Sequence, residues 1–336
     1  MDNKKGLSRQ LGLFGLAATG ICSMLGASVY VVPIMIQRNV PGIGANVLPA
    51  FLFAALPALL AAFAYALLSS AMPRAGGSYI YASRGLNPYL GFVASFSQWF
   101  GLSIAIGVIA YIIVPFLRDI AAALDLTQLA VYLEQGNVRV LVAITLLWVF
   151  VLININGLRF YKRTLIPLMI MMFGLGAIVI FAGFSFDHQD FANALMEKEG
   201  RSIPKMTGAI SLNTFLAAAA LLFASFIGFD SIAQAGGEAR NPKRNLPLAI
   251  IIAIIGVGSF YFIFTAAVYH AVPWPFIVEE ALNKDLSAPG LFAYLLSPGW
   301  AVAILAGAAI ALINDLPAML LSVSRLMFAW AKDGIF

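Results

Sequence analysis

The sequence predicts an all-α polytopic membrane protein whose first and sixth helices are interrupted at mid-membrane. Three observations lead there. Of the 336 residues, 62% are apolar and only 10% are charged, against about 25% charged in soluble domains. Eight apolar stretches reach the length of about 20 residues that a helix needs to cross a bilayer core. Two of these stretches gather glycine and polar residues at mid-depth, where irregular backbone survives only if it is buried in protein or lines a cavity.

Helices are expected near residues 12–36, 46–71, 90–117, 138–156, 164–185, 211–236, 246–271 and 300–331. The short alternating segments of a transmembrane β-barrel are not seen. Pro41-Gly42 and Pro273-Trp274-Pro275 mark turns between spans. Basic residues assign the sides. With the N-terminus in the cytoplasm, thirteen fall inside: Lys4, Lys5, Arg9, Arg74, Arg84, Arg159, Lys162, Arg163, Arg240, Lys243, Arg244, Arg325 and Lys332. Seven fall outside, and the acids show the opposite bias, with only Asp230 and Asp315 left within helices. The net charge of +5 is therefore topogenic: the partner it implies is the lipid bilayer, and nucleic acid is excluded. The basic residues before the first apolar run suit a secretory signal too, but that run is too long for a signal core. It is read as the first span.

The lone cysteine, Cys22, excludes an intramolecular disulfide and a cysteine metal cage. No metal site or cofactor is expected, and His188 and His270 are too far apart in sequence to suggest one. No P-loop or nucleophile elbow appears, which removes the chemistry of ATP-driven transport and of hydrolysis.

The interruptions carry the functional argument. In the first span, Gly20-Ile21-Cys22-Ser23-Met24-Leu25-Gly26-Ala27-Ser28 concentrates small and polar residues. In the sixth, Phe226-Ile227-Gly228-Phe229-Asp230-Ser231 does the same and adds a carboxylate. Small residues also serve close helix packing, and the first span alone fits that reading equally well. Paired interruptions in two halves of a chain point instead to a secondary transporter built from inverted repeats. The first span runs inside to outside and the sixth runs back, as a five-helix repeat would give. One transmembrane domain, 1–336, is expected, with a first repeat near 10–186 and a second near 206–336.

At these residues the chain resembles the amino acid–polyamine–organocation permeases, whose fold is the LeuT-type five-plus-five inverted repeat. Four stretches carry the resemblance. They are Pro73-Arg74-Ala75-Gly76-Gly77-Ser78-Tyr79-Ile80-Tyr81, the sixth-helix motif with Glu238-Ala239-Arg240-Asn241-Pro242-Lys243-Arg244, the segment from Ser324-Arg325-Leu326 to Lys332-Asp333-Gly334, and Met24-Leu25-Gly26-Ala27-Ser28. The resemblance implies further helices beyond the eighth, so the second repeat is expected to be incomplete at Ile335-Phe336.

A break in a helix frees N–H groups at one end and C=O groups at the other. Half-helix N-termini attract anions, and unwound carbonyls attract cations. A substrate carboxylate is accordingly expected at the amides of Gly26, Ala27 and Ser28. Its ammonium is expected near carbonyls of Cys22 and Ser23, and of Phe226 and Ile227 across the pocket. The resemblance implies equivalent backbone positions, with Ser28 and Cys22 departing from the family pattern. Phe226, Phe229, Ala224 and Ser103 are candidates to shape the pocket, and the scarcity of intramembrane acids favours a neutral amino acid.

Asp230 and Asp315 are the candidates for ion or proton coupling. An ionised Asp at mid-membrane costs roughly 2.5–3.5 kcal/mol on insertion scales, so each needs a partner or a proton. Capping of the inner half of helix six competes as a role for Asp230. A Pro317 kink beside a solvated acid competes for Asp315. Helix five carries Met169–Met172 where proton-linked relatives often hold a lysine.

The expectation is a secondary transporter of amino acids or related organic amines, working by alternating access in the plasma or inner membrane. It would be proton-coupled or exchange substrates, with sodium disfavoured. The alternatives are a non-transporting membrane component or sensor derived from a truncated permease and, without a nucleophile or metal set, a disfavoured membrane enzyme. Nothing in the sequence sets an oligomeric state.

Overall fold

The computed structural model describes residues 7–26, 28–206, 210–283 and 287–335. Among them, eight helical segments are long and apolar enough to cross a membrane. Span 1 has two halves, Leu13–Leu25 and Ser28–Asn39. Spans 2 to 5 are Val47–Ala71, Pro88–Ala123, Gly136–Ile155 and Leu158–Ser185. Span 6 is broken into Leu212–Phe223, a tight turn at Ala224–Phe226 and the short inner piece Asp230–Gln234. Spans 7 and 8 are Pro242–Ala271 and Pro298–Lys332. Short helices Gly77–Gly85, Thr127–Glu134, His188–Glu199, Trp274–Asn283 and Ala288–Phe292 lie between them.

The burial pattern is that of a protein solvated by lipid. Leu52, Phe53, Leu60 and Phe63 of span 2 and Phe100 and Ile104 of span 3 are exposed apolar residues on long helix faces. The polar side chains Thr19, Ser23, Gln234, Asn314 and Asp315 are buried. Spans 1 and 8 are the most enclosed and span 4 the least. Span 8 packs on spans 3 and 5, and span 7 packs on spans 1, 2 and 5. The chain is an integral, multi-pass, all-α membrane protein.

Both interruptions turn on glycine. Gly26 has φ +31° and Gly228 φ +130°, a region that side chains disfavour. A Cβ on Gly228 would stand 2.4 Å from the carbonyl oxygen of Ser23, so the breaks of spans 1 and 6 meet backbone to backbone. The hydroxyls of Ser23 and Ser231 join across the same contact at 2.8 Å.

The two faces are closed differently. On the face where span 1 begins, Leu11 pairs with the segment after span 6: its amide donates to Glu238 O at 2.9 Å and its carbonyl accepts from Arg240 at 2.7 Å. Arg325 of span 8 bonds Glu238, and Arg84 and Tyr79 of the hairpin helix Gly77–Gly85 both bond Asp333. Gly76 and Gly77 let this hairpin helix approach Ala329 and Ala233, because a Cβ at either would fall within 2.7 Å of their methyl carbons. On the opposite face, the rings of Phe191, Phe276 and Tyr294 cluster with centroids 4.8 to 5.6 Å apart. Arg201 holds Glu199, Glu279 and Glu280 there at 2.7 to 3.0 Å. These three carboxylates push the Arg201 guanidinium further up, so it stays charged throughout any accessible pH.

Candidate functional site

Spans 1, 3, 6 and 8 surround a cavity of about 460 Å³. Span 1 supplies Ser23, Met24 and Ser28; span 6 supplies Ala224, Ile227 and Asp230; span 8 supplies Leu312, Asp315 and Met319. The span 3 wall runs from Ser97 and Gln98 through Gly101 and Leu102 to Ala105 and Ile109. The cavity is thus bounded by both helix interruptions and holds both intramembrane acids.

Each acid has an identifiable setting. Asp230 begins the inner piece of span 6, and its carboxylate accepts a hydrogen bond from the side-chain amide of Gln98. From there a polar chain runs away from the cavity. Gln234 donates to Gln98 Oε1 at 3.0 Å and to Ser78 Oγ at 2.8 Å, and Ser78 meets the Tyr65 hydroxyl at 2.8 Å. Ser78 belongs to the hairpin helix, so this chain connects the centre of the protein to the N-terminal face.

Asp315 lies in the turn of span 8 that Pro317 loosens, since proline cannot donate to the carbonyl four residues earlier. Its carboxylate faces the backbone amide of Gly26. Next to it, Ser28 Oγ donates to Leu25 O at 2.9 Å and contacts the hydroxyl of Tyr261. Tyr261 also reaches Leu25 O at 3.3 Å. The carbonyl freed at the end of the inner half of span 1 is therefore already satisfied by hydroxyls.

Of the residues singled out from the sequence, Ser23, Ser28, Ala224, Ile227, Asp230 and Asp315 line one cavity. Gly26 stands behind Asp315, and Ala27 falls outside the described residues. Cys22 is fully buried and accepts from Asn314 Nδ2 at 2.9 Å instead of facing the cavity. Ser103 points along span 3 and donates to Trp99 O at 2.8 Å. Phe226 packs against Phe51, ring centroids 5.2 Å apart, and lines a separate apolar cavity with Ile254 and Gly258. Phe229 faces a third cavity, of about 620 Å³, together with Tyr65, Ser78 and Asp230.

Gln98 and Gln234 are the functional candidates that sequence reasoning missed. Their signal was present: an amide in an apolar span needs partners as a charge does, and Gln98 follows Ser95 and Ser97 within span 3. Which amide meets which acid depends on packing between spans, which no local pattern encodes.

Comparison with known proteins adds an independent line. A family described as "Amino acid permease" matches residues 11–336. Among curated relatives, the "Cationic amino acid transporter 4, vacuolar" of Arabidopsis thaliana is 28% identical over 99% of this chain and 54% of its own length. The "Cationic amino acid transporter 2, vacuolar" of the same plant is 27% identical over 98% of the chain and 50% of its own. The "Methylthioribose transporter" of Bacillus subtilis (strain 168) is 25% identical over 99% of the chain and 69% of its own. The chain spans about half the length of the two plant relatives.

Proposed function

Since the chain belongs to the amino acid permease family, we propose that it is a secondary transporter of amino acids or related organic amines, working by alternating access. The observation that carries this is the placement of one cavity at both helix interruptions, with Asp230 and Asp315 on its wall. The names of the relatives support the class, two being cationic amino acid transporters and one a methylthioribose transporter. The N-terminal face is cytoplasmic by the distribution of basic residues, in a plasma or inner membrane. The two inverted repeats take the limits read from the sequence, near 10–186 and from 206 onward.

Asp230 is the proton carrier in this reading. In this structure its charge is met by Gln98, whose own carbonyl is held by Gln234. Any motion of the hairpin helix that pulls Ser78 from Gln234 loosens this amide and changes the cost of keeping Asp230 ionised. Opening of the cytoplasmic face and proton exchange at Asp230 are thereby linked through one polar chain. The groups facing Asp230 are Gln98, Tyr65 and, across the cavity, Asp315. No lysine or arginine is among the described residues of the cavity wall, so a proton or a substrate cation supplies the balancing charge.

The test is uptake into liposomes with an imposed pH gradient. Asp230→Asn keeps the hydrogen-bonding shape and removes the titration, so gradient-driven uptake should be lost while exchange of substrate for substrate persists. Unchanged dependence on the gradient would remove Asp230 from coupling and leave it a structural residue.

A further inference from the structure

The placement of Asp315 bears on what the central cavity can hold. The outer half of span 1, Ser28–Asn39, begins at this cavity, and a helix start offers free amides and a partial positive charge to an anion. Just before that start, Asp315 sets its carboxylate against the amide of Gly26, the residue that closes the inner half, and Oδ2 fills the space a Cβ on Gly26 would need.

The other oxygen is the second observation. Asp315 is 5% exposed, and its Oδ1 has no hydrogen-bond partner although the residue lines the cavity. A carboxylate oxygen accepts only, and a cationic N–H is the strongest donor it can be given. The groups near Asp315 are the Gly26 amide, the Tyr261 hydroxyl from span 7, the Cys22 thiol from span 1 and Asp230 across the cavity. None of them is a cation.

Building on the transporter reading, we infer that Asp315 occupies the position an α-carboxylate would take, and that the site selects organic amines lacking a carboxylate. The ammonium of such an amine gives the unpartnered oxygen of Asp315 its donor. A free amino acid would bring a second carboxylate beside that of Asp315, and the two like charges would repel in a poorly solvated space. Asp315 thus acts as a built-in specificity determinant, standing in for half of the zwitterion.

Matched pairs test this, first in the natural protein and then in one variant. The reconstituted protein is given phenylalanine and phenethylamine, leucine and isoamylamine, and lysine and cadaverine, with binding and uptake read in sodium-containing and sodium-free buffer. Each amine is expected to bind at least tenfold more tightly than its amino acid, independently of sodium. In Asp315→Ser, which frees the Gly26 amide and removes the acid, that ratio should fall at least tenfold, with amino acid binding gained. Preference for the amino acids in the natural protein overturns the inference, as does sodium-dependent amino acid binding or an unchanged ratio in Asp315→Ser. The transporter reading fails separately: amines that bind but are never moved would sink it and leave the selectivity standing. Amino acids moved in preference to amines would do the reverse.

Discussion

Replacing Arg325 by alanine is expected to lower the stability of the protein by about 3 kcal/mol or more, because it strands a buried carboxylate. Glu238 is 2% exposed, and its Oε1 accepts from Arg325 Nε at 3.0 Å and Nη2 at 2.5 Å. Its other oxygen, Oε2, has no hydrogen-bond partner. The guanidinium fork is therefore the main compensation for the buried charge. Arg325→Lys gives up the fork and should recover only part of the loss. Glu238→Gln removes the charge at its source and should cost less than Arg325→Ala, and the double variant should cost less than the sum. Thermal unfolding in detergent reads all four. A cost within about 0.5 kcal/mol for Arg325→Ala would show that water reaches Glu238 and that the pair behaves as a surface pair.

The same pair has a functional consequence. It joins span 8 to the segment that also holds Leu11, at the face where the hairpin helix is pinned to Asp333. Under the proposed alternating access, opening this face would separate the pair, so weakening it should shift the population toward an open state.

The second large effect is expected at Gly228. Its φ of +130° lies outside what other residues adopt readily, and a Cβ would meet Ser23 O at 2.4 Å and Ser23 C at 2.7 Å. Backbone strain contributes about 1–3 kcal/mol and overpacking about 1–3 kcal/mol more. Gly228→Ala should therefore destabilise severely or separate the interruptions of spans 1 and 6. Gly107→Ala provides the control, since nothing lies within 4 Å of its added methyl, and helix propensity alone favours alanine by about 0.8–1 kcal/mol. Equal melting temperatures for the two variants would mean that the interruptions do not touch as described.

The sequence showed the breaks more clearly than their contents. Glycine and polar residues inside an apolar run violate local helix economy, and such a violation can be read from one strand of text. Gly26 and Gly228, with Asp230 between Phe229 and Ser231, are of this kind. Which way a side chain points is a different matter. Cys22 and Ser23 are neighbours on one helix, yet Ser23 faces the cavity while Cys22 turns to Asn314. Ser103 and Leu102 divide in the same way on span 3, with only Leu102 on the wall. In a helix enclosed on several sides, hydrophobic periodicity no longer marks one face, so it cannot choose between such neighbours. The setting of Asp315 was hidden for a further reason: its contact with Gly26 joins residues far apart in sequence, and neither has a local pattern that names the other.

If substrate passes through the cavity between the two interruptions, thiol labelling of its wall will block uptake. The only cysteine, Cys22, is fully buried, so the natural chain serves as the unlabelled background. A cysteine in place of Ala105 on the cavity wall should react with a charged thiosulfonate reagent, block uptake, and be protected by transported substrate. A cysteine at Ile104, which faces lipid, should do neither. If Ala105→Cys is labelled yet uptake continues unchanged, substrate does not travel through this cavity and the account is wrong.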